Sequence, residues 1–194
     1  NGGARGCVNK PLRGGKGSQF EGGMREPTLA WWPGAIAAGS VCDEMATAMD
    51  LLPTFAELAG ANVPSDRIID GRSIVPLLRG EPGAGSPHEA FFYYGGVSLK
   101  AVRAGPWKLF AKGQLYNLAD DIGEMEDVGA EPPDVVARLR KHLERARADL
   151  GDGSRKGTGC RSVGVAQNPR TLLPRPGVEG EEAYAPTLSL KRDR

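Results

Sequence analysis

Arg13 to Pro27 reads Arg-Gly-Gly-Lys-Gly-Ser-Gln-Phe-Glu-Gly-Gly-Met-Arg-Glu-Pro, so one lysine, Lys16, stands among Gly14, Gly15 and Gly17. Glycines let the backbone approach a ligand closely, and an ammonium is a compact charge with three donors, a pairing suited to a tetrahedral oxyanion. A phosphate-binding P-loop also joins glycines to a lysine, but it needs Ser or Thr directly after that lysine and a helix behind it. Gly17 follows Lys16, and Gly22-Gly23 disfavours the helix. The residues alone leave two readings, an anion site and a solvated Gly-rich loop. Cys7, Cys42 and Cys160 form no CxxC or Cys/His pair at metal spacing, which argues against zinc, and an odd count leaves at least one without an internal partner. Of the two histidines, His88 follows Ser86-Pro87 and reads as a hydrogen-bonded loop residue. His142 falls off the apolar stripe of its helix and is expected to be solvated.

Several elements must position these groups. Thr28–Trp32, a short apolar run between Pro27 and Pro33-Gly34, predicts a strand buried on both faces. Asp50–Gly60 has an N-cap-type Asp, a Pro in the first turn and a Gly stop, predicting a helix of about three turns. Its Leu51, Leu52, Phe55 and Leu58 share one face, which should dock on a neighbour. Ile68–Gly71 reads as a turn, and Ile74, Leu77 and Leu78 as a short helical piece ending at Gly80. Four β-prone runs, 90–94, 99–103, 107–111 and 115–118, separated by Gly or Pro, predict an antiparallel meander. After Pro132-Pro133, Val136, Leu139, Leu143, Ala146 and Leu150 repeat at helical spacing, so an amphipathic helix should cross that sheet. From Gly151 the periodicity ends, and a mildly basic, extended and poorly ordered tail is expected. Trp31, Trp32 and Trp107 read most simply as core aromatics.

Composition bounds the function. In 194 residues, Lys+Arg 25 nearly balance Asp+Glu 24, which argues against a dedicated nucleic-acid or polyanion binder. The basic last helix, with Arg138, Arg140, Lys141, Arg145 and Arg147, is explained by complementing its own dipole. No apolar run approaches the ~18 residues that a membrane-spanning helix needs.

Taken in order, LRGGKGSQFEGGMREP (12–27), WWPG (31–34), MDLLPTFAELAG (49–60), IIDGRSIVPLL (68–78), SPHEAFFYY (86–94), LKAVRAGPWKL (99–109) and LYNLADDIGE (115–124) resemble the C-terminal part of a sulfatase. The likeness is to the arylsulfatase or N-acetylgalactosamine-6-sulfatase branch of the alkaline-phosphatase-like superfamily. It covers about residues 1–150, and family blocks in the right order are more specific than any single motif. The resemblance implies sulfate-ester hydrolysis, with Lys16 in the sulfate-contacting lysine's place as a catalytic and substrate-binding residue. It also implies a calcium ion, with Asn1 of Asn1-Gly2 as one ligand. Glu21, Arg25 and Glu26 would shape the loop, Arg25 as a structural partner, and Asp120-Asp121 would belong to a hairpin rather than a metal site.

The departures limit that reading. The family's formylglycine nucleophile arises in a Cys/Ser-x-Pro-x-Arg segment. Cys7-Val8-Asn9-Lys10-Pro11 misses that spacing, and neither Cys42 nor Cys160 has Pro two residues on. The expected partners are therefore a sulfate-ester substrate and an upstream sulfatase segment, with no nucleic acid and no membrane span. The chain alone is expected to be inactive and marginally stable. The alternative is a non-catalytic sulfatase-like module that at most binds anions. The fold expected is α/β, the C-terminal fragment of an alkaline-phosphatase-like mixed sheet plus a small antiparallel sheet with one packed helix. Residues 1–85 would complete the catalytic domain, 86–150 form the small subdomain, and 151–194 the tail. A secreted, periplasmic or lysosomal-type location follows only from family habit.

Overall fold

The computed structural model describes residues 8–162 together with 177, 179 and 180. A one-turn helix α1 (Glu21–Met24) follows the Gly-rich loop, formed across the Gly22-Gly23 pair that was expected to disfavour it, and a 3₁₀ turn (Ala48–Asp50) runs into α2 (Leu51–Leu58). α3 (Val75–Arg79) stops at Gly80, whose left-handed φ of 63° ends the helix without a Cβ penalty. Strands β1 (Phe91–Gly95), β2 (Ser98–Ala104), β3 (Trp107–Phe110) and β4 (Leu115–Asn117) then form an antiparallel meander in sequence order. α4 (Pro133–Asp149) follows, and a hairpin of β5 (Gly151–Asp152) and β6 (Arg155–Lys156) comes after it. The expected meander and crossing helix are both present.

Strand alternation divides the meander into two chemically different faces. Leu99, Val102, Ala104, Leu109 and Leu115 meet Val135, Val136, Leu139, Leu143 and Ala146 of α4 in a dry core, with Phe92, Tyr94 and Trp107 around it. The opposite face follows from the register: Ala101 pairs with Tyr93 and Phe110, and Lys108 pairs with Arg103 and Tyr116. Leu139 is fully buried at the centre of the apolar face. Leu139→Ala should cost about 2–5 kcal/mol, because the cavity is walled by two rigid elements. Urea unfolding of the wild type and variant would measure it.

Several expectations need correction. Thr28–Trp32 pairs with no strand; Leu29 and Trp31 lie open to solvent and Trp32 is partly exposed, with the Arg79 guanidinium 5.6 Å from its ring centroid. An apolar run becomes a buried strand only where neighbours supply ladder partners on both edges, and the described residues supply none. Trp31 is accordingly no core residue. The α2 face formed by Leu51, Leu52, Phe55 and Leu58 is also uncovered among the described residues. His142 is buried rather than solvated, because it lies three residues after Leu139 and four before Ala146, within the stripe itself. Burial pushes its pKa down, with the nearby Glu89 carboxylate opposing. Leu150 sits just past the helix and is exposed. Finally, 151–156 is an ordered hairpin: the Asp152 carboxylate accepts the Leu99 N–H at 2.9 Å and the Arg147 guanidinium at 3.1 Å. The expected disorder of the rest of the tail falls largely outside the described residues.

Candidate functional site

The Gly-rich loop is a closed excursion with Lys16 near its tip. Asn9 Nδ2 donates to the carbonyls of Gly14 (3.1 Å) and Gly22 (3.0 Å), and the Gly22 N–H returns to the Arg13 carbonyl at 2.8 Å. Between these ties the Ser18 N–H bonds the Gly15 carbonyl, a turn centred on Lys16-Gly17, with Gly17 at a φ of 87°. A Cβ on Gly23 would lie 2.3 Å from the Ser18 carbonyl oxygen, and one on Gly22 would lie 2.6 Å from two backbone oxygens. These glycines therefore permit the close packing of the two arms. Lys16 is exposed and makes no ion pair or hydrogen bond among the described residues, so its ammonium is available to a ligand.

Below the loop lies a cluster that sequence reasoning missed. Lys108, fully buried on the second face of the sheet, is 2.9 Å from Glu21 Oε1 and 2.7 Å from Glu124 Oε1, and it donates to the Gln19 carbonyl at 2.7 Å. The Tyr93 hydroxyl donates to Glu21 Oε1 (2.7 Å), while Arg25 Nε (2.6 Å) and an Arg103 guanidinium nitrogen (3.4 Å) face Glu21 Oε2. Glu124, in the left-handed region at φ 51°, accepts the Glu21 N–H on its carboxylate at 2.6 Å. Its own carbonyl accepts the Arg13 guanidinium at 2.7 Å, and that guanidinium lies 4.0 Å from the Phe20 ring centroid. Arg25 is thus the structural partner expected. The one available signal was alternation: Lys108 shares a face with Tyr93, Phe110 and Tyr116, which is too aromatic to be a solvated surface.

The two buried carboxylates are pushed in opposite directions. Burial raises the Glu21 pKa, but the Lys108 charge and the hydrogen bonds from Arg25, Lys108 and Tyr93 outweigh it and bring the carboxyl down to about 2. Glu124 is pushed up, chiefly by burial and further by the Glu21 charge, against the pull of Lys108. Burial and the Glu21 carboxylate also push the Tyr93 phenol up. Because the folded-state pKa of Glu21 is depressed, its contribution is complete above its unfolded value near 4.5 and disappears as pH falls to about 2. At neutral pH it is on the order of 3 kcal/mol. Glu124 has the opposite sign, stabilising as pH falls through its raised value. Glu21→Gln should therefore flatten the acid limb of the stability curve between pH 4.5 and 2. Urea midpoints across that range for wild type and variant would check this.

A third buried carboxylate, Asp50, organises α2. It accepts the N–H groups of Thr47 (2.7 Å) and Arg72 (2.8 Å) and lies 2.7 Å from His88 Nε2. Burial raises its pKa, but these partners together hold it below the ordinary value. His88 is thus the hydrogen-bonded loop histidine expected. Asp50 turns back to the 3₁₀ turn and across to Arg72 instead of capping α2. Asp121 bonds the N–H groups of Met125 and Glu126, as fits a turn after β4. Cys42 and Cys160 are free thiols.

The family model described as "N-sulphoglucosamine sulphohydrolase, C-terminal" matches residues 15–149, from the Lys16 loop to the end of α4. The chain belongs to this sulfatase C-terminal family. Mouse steryl-sulfatase is 47% identical over 109 residues, covering 54% of this chain and 17% of its own. Mouse N-acetylgalactosamine-6-sulfatase is 47% identical over 104 residues, covering 53% and 19%. Among solved structures, Ps i-CgsB aligns with a TM-score of 0.65 at 31% identity, over 79% of this chain and 36% of its own. The chain therefore spans about a fifth of the length of the curated relatives it matches. Asn1, the expected calcium ligand, lies outside the described residues. Among the described residues no three His, Cys, Asp or Glu side chains gather as a metal cradle. They do not make a calcium site by themselves.

Proposed function

We propose that this chain contributes the sulfate-binding lysine to a sulfuric ester hydrolase whose nucleophile lies on a further segment of polypeptide. The observation that carries the reading is the family match beginning on the loop whose tip is Lys16, exposed and unpaired among the described residues. In the reaction, an external nucleophile attacks sulfur, the sulfur–oxygen bond to the alcohol breaks, and water finally releases sulfate. Charge builds on the sulfuryl oxygens and the leaving oxygen as that bond breaks. A preorganised ammonium beside those oxygens stabilises this charge without reorganising at the moment of reaction. The same resemblance gives Asn1 a calcium-ligand position, as part of a site completed elsewhere in the sulfatase.

None of the cysteines stands in a Cys-x-Pro-x-Arg segment. This favours one other reading, an anion-binding module without turnover. A chromogenic aryl sulfate separates the two. The 194-residue chain should not hydrolyse it, whereas the same chain joined to the segment carrying the nucleophile should. Turnover by the chain alone, or none in the joined protein, overturns the proposal.

A further inference from the structure

Both arms of the Lys16 loop end on Glu124, and the descending arm ends on Lys108 as well. The ascending arm is held at Arg13, whose guanidinium bonds the Glu124 carbonyl. The descending arm is held twice, at the Gln19 carbonyl by Lys108 and at the Glu21 N–H by the Glu124 carboxylate. Glu21 closes the circle with its side chain on Lys108. We infer that Lys108, Glu21 and Glu124 form a buried positioning clamp, which takes the small C-terminal sheet as its base and sets where the Lys16 ammonium stands over the sulfate. This inference rests on the proposed role of Lys16.

The chemistry of the clamp supports the assignment. A loop that only had to be covered could lie on apolar side chains, and a buried ion cluster is a poor source of net stability because desolvation offsets the attraction. It does impose direction. Each of the three groups has a partner at hydrogen-bonding distance on a different element, so sliding the loop by an ångström would strand a charge in the interior. A misplacement of that size at a reacting centre can cost about 10²-fold in rate. Lys108 itself touches no substrate; it is a positioning residue acting through Gln19, three residues beyond Lys16. The sheet therefore has two jobs, with its apolar face seating α4 and its charged face seating the loop.

A double-mutant cycle tests this, with kcat on 4-nitrophenyl sulfate measured for the joined sulfatase. Lys108→Met should lower kcat about 10- to 100-fold in the wild-type background. In the Lys16→Ala background it should lower kcat less than twofold, because nothing remains to be positioned. Equal losses in the two backgrounds would overturn the clamp while leaving Lys16 in place. A Lys16→Ala variant with normal kcat would instead overturn the functional reading. Hydrogen exchange on the joined sulfatase supplies a readout free of turnover. Lys108→Met should speed exchange across residues 13–25 while α4 stays protected, and an unchanged loop contradicts the clamp. Tyr93→Phe removes only the hydroxyl bond to Glu21 and guards against global unfolding of the lysine variant. It should give a several-fold loss of kcat that vanishes in the Lys16→Ala background, and a loss that persists there counts against the clamp.

Discussion

Lys16→Ala in the joined sulfatase is expected to lower kcat by about 10²–10³-fold, with a much smaller change in KM. The magnitude is that of removing one preorganised donor from a developing oxyanion, about 3–4 kcal/mol of barrier. Its weight falls on kcat because the oxygens carry more charge in the transition state than in the bound ester. The structure makes the substitution unusually clean. Lys16 is exposed, unpaired among the described residues and held at a turn formed by backbone bonds, so deleting its side chain removes no hydrogen bond or ion pair among them. Thermal stability should be unchanged, separating lost chemistry from lost fold. Lys16→Arg should recover only part of the rate, since a planar fork cannot reproduce a compact point charge.

The second large effect is on stability. Lys108→Met leaves Glu21 and Glu124 facing each other, both buried and without their shared cation. Breaking a buried ion cluster from one side typically costs about 3–5 kcal/mol, so the midpoint of thermal unfolding should fall by roughly 10 °C or more. The neutral triple variant Glu21→Gln, Lys108→Met, Glu124→Gln should lose far less, because it removes the desolvation cost together with the attraction. Calorimetry on the three proteins would show that ordering. A triple variant less stable than Lys108→Met would mean that the cluster is a net stabiliser instead of a geometric constraint.

Much of the architecture was legible where periodicity and punctuation agree. Gly80 and Pro132-Pro133 bound α3 and α4, and the Gly and Pro residues between β-prone runs mark the turns of the meander. Lys16 could be singled out because glycines around one cation are unusual. Burial was harder to read, since it depends on what the other elements bring. Lys108 looks like a solvent-facing strand lysine until Glu21 and Glu124, distant in sequence, converge on it. His142 was misjudged by treating the α4 stripe as narrower than the sheet it covers. Trp31 reads as core from its residue type and the α2 leucines as a docking face from their spacing, yet among the described residues all of them stay exposed. The hairpin at 151–156 escaped because two-residue strands have no period; it is held by Asp152, reaching Leu99 and Arg147.

The most direct test of the central claim is a crystal structure of the joined sulfatase with sulfate or a non-hydrolysable sulfate ester bound. The account predicts Lys16 Nζ within about 2.7–3.1 Å of a sulfate oxygen, with Gln19 and Glu21 still seated on Lys108 and Glu124. A bound sulfate with the Lys16 side chain turned away to solvent would contradict it.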